Sequence, residues 1–293
     1  MAEPITKNKD IVVMYHGNCP DGFTAAWAAW KKFGDDVEYI PLHRYLEIPQ
    51  IKNRIIYMLD YCPNNKADLD RLQAENKKLI VIDHHISEAE SIKSVPEHVF
   101  DVNHSGAVLS WKYFCPDQPI PTLALYIEDR DLWNWKLSNT KEILNITDLH
   151  DLKATDFSVW DSIAVDLDND LKKQEYIKKG SAIQQFREIV VQNIVDNQTQ
   201  LVLFEGHEVY AANAPRYFVS EVGNALATKK PPFAVVWSST AEKIVISMRA
   251  SGDAFDVTTI AKKYGGGGHK AAGSYSIPIG TPLPWKVIKE DEK

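Results

Sequence analysis

Val81-Ile82-Asp83-His84-His85 decides the reading of this chain: an apolar run that stops on an acid and two adjacent imidazoles. A strand ending in Asp-His-His sets three polar side chains at its carboxyl end, where open α/β sheets bind ligands. Two further apolar runs end in the same manner. Ile11-Val12-Val13-Met14-Tyr15 leads into His16-Gly17-Asn18-Cys19-Pro20-Asp21-Gly22, and Arg54-Ile55-Ile56-Tyr57-Met58-Leu59 leads into Asp60. Consecutive histidines bring no packing benefit to a buried strand. Histidine and aspartate delivered to one sheet edge instead suit Mn²⁺, Fe²⁺ or Zn²⁺. Taken singly the flanking signals are weaker. His16 and Asp21 share a loop that Gly17, Pro20 and Gly22 turn sharply, and Asp60 can equally open a turn or cap a helix.

Outward from these runs, strand and helix patterns alternate. Helices are expected over 23–32, 65–76, 106–114 and 122–129, with further strands at 37–42 and 78–82. This rhythm predicts an α/β fold, a mainly parallel sheet with helices on both faces. Residues 160–198 turn charged and helical, reading as a long connecting helix or as one more surface helix of the first domain. Strand signals return at 201–204, 209–212, 234–237 and 244–249, with a helix at 219–227, and imply a second, smaller α/β domain. The expected division is 1–160, a helical linker 161–198, and 199–293. Residues 286–293 read as a charged tail.

Composition sets the outer bounds. The chain has 293 residues, 44% hydrophobic and 25% charged, enough to bury a sizeable core. There is no apolar run long enough for a transmembrane helix, and the polar residues 1–10 lack a signal peptide's apolar segment. Three cysteines do not make a disulfide framework, so a cytoplasmic location and no membrane partner are expected. A net charge of −7 argues against long duplex nucleic acid, which usually meets a basic face. It leaves a short nucleotide open, because metal ions reverse the local sign of an acidic site.

Two more stretches carry chemistry. Tyr126-Ile127-Glu128-Asp129-Arg130-Asp131-Leu132-Trp133 adds acids that alone would be read as a salt-bridge network. With the three strand ends they supply ligands enough for two metals, the usual device for phosphate-ester cleavage: paired ions hold the phosphate, activate water and stabilise the leaving oxygen. Near the carboxyl end stands Tyr264-Gly265-Gly266-Gly267-Gly268-His269-Lys270-Ala271-Ala272-Gly273-Ser274. Its glycines let backbone approach a ligand and present N–H groups to an anion. Upstream, Ser247, Arg249 and Ser251 alternate along a strand, and Arg249 is a natural bidentate partner for phosphate.

In this order and spacing, Asp83-His84-His85 and the Gly265–Gly268, His269, Ala271-Ala272-Gly273 signature resemble the DHH phosphoesterases that carry a DHHA1 domain. The resemblance covers nearly the whole chain, at a length close to bacterial nanoRNases that also remove the 3′-phosphate of pAp. It implies a DHH domain with a mainly parallel sheet, joined through a helical linker to a smaller α/β DHHA1 domain, and an active site in the cleft between them. It implies two divalent ions, Mn²⁺ in the first place with Zn²⁺, Fe²⁺ or Mg²⁺ as alternatives. His16 and Asp60 would hold one; Asp21, Asp60, His84 and Asp129 would hold the other, with Asp60 bridging. Asp129 is preferred to Asp131 because Trp133 then falls where relatives carry an aromatic. His85 would touch the scissile phosphate and Asp83 would orient a ligand. His104, in a loop with Ser105 and Gly106, and Arg249, Gly267, Gly268 and His269 would bind substrate.

One departure stands out. Many relatives carry a ligating Asp where this chain has Cys19. The cysteine is a ligand, or leaves the first metal to His16 and Asp60, or is a spectator; a thiolate would favour Zn²⁺ or Fe²⁺ over Mn²⁺. The implied activity is hydrolysis of short oligonucleotides, linear dinucleotides such as pGpG, nucleotide messengers or pAp. Trp133 and Trp135 are candidates to stack on a base. The alternative is a nucleotide-binding sensor that has lost catalysis, and homodimerisation stays open.

Overall fold

Alternate side chains of the first strands divide between two apolar layers, and that division builds the first half of the molecule. The computed structural model describes residues 10–43, 47–63, 65–152, 156–252 and 255–288. Most of the polar amino-terminal stretch and residues 289–293 of the expected charged tail lie outside them. The chain forms two compact units, Met1–Gln184 and Gln185–Lys293.

The first unit runs β1 (Ile11–His16), α1 (Pro20–Phe33), β2 (Glu38–Leu42), β3 (Ile55–Leu59), α2 (Lys66–Glu75), β4 (Lys78–Asp83), α3 (Ala89–Ser94) and β5 (Glu97–Phe100). Helices α4 (Gly106–Phe114), α5 (Thr122–Asp131), α6 (Thr140–Thr147) and α7 (Ser158–Leu167) follow. The five strands are all parallel in the order β2-β1-β3-β4-β5. Val13, Tyr15, Leu59, Ile80 and Ile82 pack toward α1, α4 and α5 on one face. Val12, Met14, Ile56, Met58 and Val81 pack on the other, with Leu69 and Leu72 of α2 and Ile92 of α3. A central parallel strand is covered on both faces and so reads as unbroken apolar sequence. The strand order reverses between β1 and β3, which opens a crevice at their carboxyl ends.

The stretch 160–198 is two helices rather than one. Asn169 lies between them and caps α8 (Asp170–Asn197), its Oδ1 accepting from Lys172 N at 3.1 Å. The boundary between the units falls within α8. The second unit continues with β6 (Thr199–Phe204), β7 (His207–Asn213), α9 (Val219–Lys229), β8 (Phe233–Ser239), β9 (Lys243–Ala250), α10 (Thr258–Lys263), β10 (Gly267–His269), β11 (Ala272–Pro278) and β12 (Lys286–Val287). These make a seven-stranded sheet, β10-β11-β9-β8-β7-β6-β12, in which only β7 and β8 pair in parallel. Helix α9 packs with Ala234 and Val236 in one apolar cluster, and α10 with Ile246, Met248 and Tyr275 in the other.

Candidate active site

Four separated segments deliver polar groups to the carboxyl edge of the parallel sheet. His16 is the last residue of β1, and the chain turns at once into α1, where Pro20 occupies the first turn and Asp21 follows. Gly22 permits that turn: a Cβ there would lie 2.3 Å from the His16 carbonyl. Asp60 follows β3 in a left-handed backbone conformation, φ 54°, uncommon for a residue with a side chain and concentrated at functional sites. Asp83 ends β4, with His84 and His85 next. Asp131 ends α5.

His84 Nε2 lies 3.3 Å from Asp60 Oδ1, 3.5 Å from Asp131 Oδ2 and 3.6 Å from Asp21 Oδ2. Donor atoms about 2.1 Å from a tetrahedral ion stand roughly 3.4 Å apart, and each of the three carboxylate oxygens lies near that distance from the His84 nitrogen. Asp60 faces a second group through its other oxygen: His16 Nδ1 is 3.2 Å from Asp60 Oδ2, and Cys19 joins these two in a set of donors all within 4.8 Å of one another. His85 Nδ1 lies 2.7 Å from Asp83 Oδ1, which also accepts the amides of His84 and His85 at 2.7 and 3.2 Å. That interaction fixes the His85 ring.

Asp129, expected from the sequence to be a ligand, is in none of the donor groups that the described residues form around His84. Asp129 spends its carboxylate on the following loop, accepting Lys136 N at 2.7 Å, Leu137 N at 3.2 Å and Thr140 Oγ1 at 2.5 Å. Asp131 takes the place beside His84. Both acids lie on α5, two positions and about 200° of helical rotation apart, so only one of them can face the cluster.

Helix α4 holds Asp21 in place. The Gly106 and Ala107 amides donate to Asp21 Oδ2 and Oδ1 at 2.7 and 2.9 Å, two first-turn N–H groups of the kind that favour an anion. Gly106 lacks a side chain for a plain reason: a Cβ would stand 2.6 Å from Asp60 Cβ and 2.9 Å from Asp21 Oδ2. The sequence marked Gly106 as the start of a helix and as part of a substrate loop, with no sign of its two neighbours. His104 stands outside the ligand groups, its Nδ1 3.1 Å from Glu128 Oε2 and its Nε2 2.8 Å from Lys112 Nζ. Glu128 also accepts the Ser105 amide at 2.9 Å and so anchors this loop.

Asp21, Asp60, Asp83, His84 and His85 are all buried. Burial and the neighbouring Asp60 and Asp131 carboxylates push the Asp21 carboxyl well above its usual range. Burial acts the same way on Asp60, but the imidazoles of His16, His84 and His85 outweigh it and hold Asp60 well below. Burial would lower His84, yet the Asp60, Asp131 and Asp21 carboxylates raise it well above an ordinary imidazole. Burial raises the Cys19 thiol against the pull of His16. Crowded carboxylates here demand positive charge, and without an ion only protons on imidazole and carboxyl can supply it. Among the described residues, the buried Asp60 Oδ1 and Asp131 Oδ2 accept no hydrogen bond. An unsatisfied buried acceptor is costly. The donor set and these two oxygens fit divalent cations.

The second unit carries the other expected residues. Arg249, Ala272 and His269 are register partners across β9, β11 and β10, which sets Arg249 and His269 on the same sheet face with a small residue between. Arg249 donates to Ser220 Oγ and to the Met248 carbonyl, both at 2.9 Å, and its stem packs where Gly223 of α9 leaves room. Ser251 falls beyond the end of β9. Two amides of the glycine run have partners within the chain. The amides of Gly265 and Gly266 close the end of α10, donating to Lys262 and Ala261 carbonyls at 3.1 and 2.8 Å. Gly267 and Gly268 enter β10.

No protein-family model matches the chain. It is 31% identical to the uncharacterized protein R106 of Acanthamoeba polyphaga mimivirus over 315 residues, spanning 97% of this chain and 72% of R106. It is 23% identical to oligoribonuclease NrnB of Bacillus subtilis (strain 168) over 309 residues, spanning 90% of this chain and 72% of NrnB. Among solved structures, an exopolyphosphatase-related protein from Bacteroides fragilis superposes with a TM-score of 0.52 at 14% identity, covering 94% of this chain and 88% of that one. The pGpG-specific phosphodiesterase PggH of Vibrio cholerae gives a TM-score of 0.48 at 15% identity, covering 92% and 94%. The Bacteroides likeness is one of fold. Among the described residues, no helix is long and apolar enough to cross a membrane.

Proposed function

We propose that this chain, which belongs to the same family as the mimiviral protein R106, is a metal-dependent phosphoesterase of the DHH/DHHA1 type that hydrolyses short oligonucleotides or linear dinucleotides. The observation that carries the reading is His84 Nε2 set 3.3–3.6 Å from carboxylate oxygens of Asp21, Asp60 and Asp131, with Asp60 turned also toward His16. The name of NrnB, an oligoribonuclease, supports the substrate class.

In this reading His16, Cys19 and Asp60 would hold one ion, and Asp21, Asp60, His84 and Asp131 would hold the other. Bound divalent ions supply positive charge to the phosphate and the leaving oxygen and lower the pKa of water. The α4 amides fix the Asp21 carboxylate in place. Asp83 fixes the His85 ring, which would hydrogen-bond the phosphate as charge develops on it. Arg249 and His269, on their shared sheet face, are the substrate-binding residues proposed from the second unit.

The test is a panel of pGpG, a short RNA, pAp and cyclic dinucleotides, each incubated with Mn²⁺, Zn²⁺ or Mg²⁺ and followed by chromatography. Selective cleavage by the native chain, abolished in His84→Ala, is the expected result. Tight metal-dependent binding with no turnover of any compound would instead identify a nucleotide sensor.

A further inference from the structure

The loop that follows Asp131 is held more firmly than a surface loop requires. Trp133 and Trp135 both adopt left-handed backbone conformations, φ 57° and 52°, which bulky residues seldom take unless surroundings impose them. The surroundings are Asp129. Its carboxylate binds Lys136 N, Leu137 N and Thr140 Oγ1, and its carbonyl accepts Asn134 N at 2.9 Å and Trp135 N at 3.3 Å. One buried acid thus holds both the Trp-Asn-Trp segment and the residues that follow it.

The grip presents an aromatic surface. The two indoles meet edge to face, 4.9 Å between centroids at 79°, and Lys141 Nζ stands 5.2 Å from the Trp135 centroid. Trp135 is therefore braced, whereas Trp133 stays 38% exposed. A fixed, exposed indole gains nothing for the core. Only Leu132 separates it from Asp131, whose carboxylate stands beside His84.

We propose that Trp133, braced by Trp135 and locked by Asp129, is the stacking face for the base of the bound nucleotide, and that Asp129 is the positioning residue for it. The inference rests on the nucleotide phosphoesterase reading and deepens it. Stacking uses the π-face common to all bases, so this contact gives affinity without sequence preference.

The experiment titrates the full chain in Mn²⁺ with guanosine 5′-monophosphate, adenosine 5′-monophosphate and ribose 5-phosphate by calorimetry. Trp133→Ala should weaken both nucleotides about ten- to a hundredfold while leaving ribose 5-phosphate unchanged. Trp133→Phe should restore most of the loss. For a cleaved dinucleotide the change should fall on KM more than on kcat. Asp129→Ala should reproduce the nucleotide-selective loss and abolish the near-ultraviolet dichroism of the indole pair. Should Asp129→Ala not fold, the two Trp133 variants decide alone. Nucleotide affinity equal in native chain and Trp133→Ala overturns the stacking proposal and leaves the phosphoesterase reading intact. A native chain that neither binds nor cleaves any nucleotide overturns both.

Discussion

The carboxyl edge of the parallel sheet and the glycine hairpin of the second unit are built by opposite means. At the sheet edge, buried carboxylates and imidazoles crowd together, and among the described residues Asp60 Oδ1, Asp83 Oδ2 and Asp131 Oδ2 are left unsatisfied. At the hairpin, side chains are withdrawn. A Cβ on Gly268 would meet the Ala272 carbonyl at 2.3 Å, and Ala272 itself separates Arg249 from His269. The first arrangement stores electrostatic demand; the second clears space. Substitutions should therefore act on charge in one region and on backbone in the other.

The largest effect should come from breaking the first region at Asp131. Asp131→Ala should lower activity by about a thousandfold and weaken Mn²⁺ binding, whereas Asp129→Ala should leave Mn²⁺ affinity within about twofold, with both affinities read by calorimetry. Equal loss of metal affinity in the two would restore Asp129 as a ligand. Next in size is Gly106→Ala, whose added methyl must displace Asp60 or Asp21. A cost of about 1–3 kcal/mol in denaturant unfolding is expected, together with weaker metal binding. Gly268→Ala sharpens the contrast, since φ at this residue is 138°. It should destabilise the second unit while the metal-induced gain of the first, about 2.7 kcal/mol at a hundredfold excess over Kd, persists in calorimetric melting. Loss of that gain would show the two regions to be energetically joined. The smallest change is Cys19→Ser, expected to shift metal preference from Zn²⁺ toward Mn²⁺ with the fold intact. Unchanged metal content and unchanged activity would make Cys19 a spectator.

What the sequence reveals of the molecule follows the same division. Strands β1, β3 and β4 are legible because parallel strands covered on both faces are written as apolar runs, and their polar ends mark the site. Strand β5, four residues with half-exposed side chains, leaves no such run. The choice between Asp129 and Asp131 turns on the loop to Thr140, a contact eleven residues away that local pattern does not encode. The break at Asn169 is hidden because its cap is a single side-chain acceptor inside an otherwise helical stretch. The glycine run reads as an anion cradle, but amides serve whichever carbonyl is nearest, and the end of α10 takes those of Gly265 and Gly266.

The donors that meet around His84 come from residues as distant as Asp21 and Asp131, with Asp60 between them in sequence. Such a centre cannot exist in a partly collapsed chain, since every loop between its members must already be closed. An ion that binds there acts after the transition state for folding. Saturating Mn²⁺ should accordingly slow the unfolding of the first unit while leaving its refolding rate unchanged, a kinetic clamp rather than a nucleus.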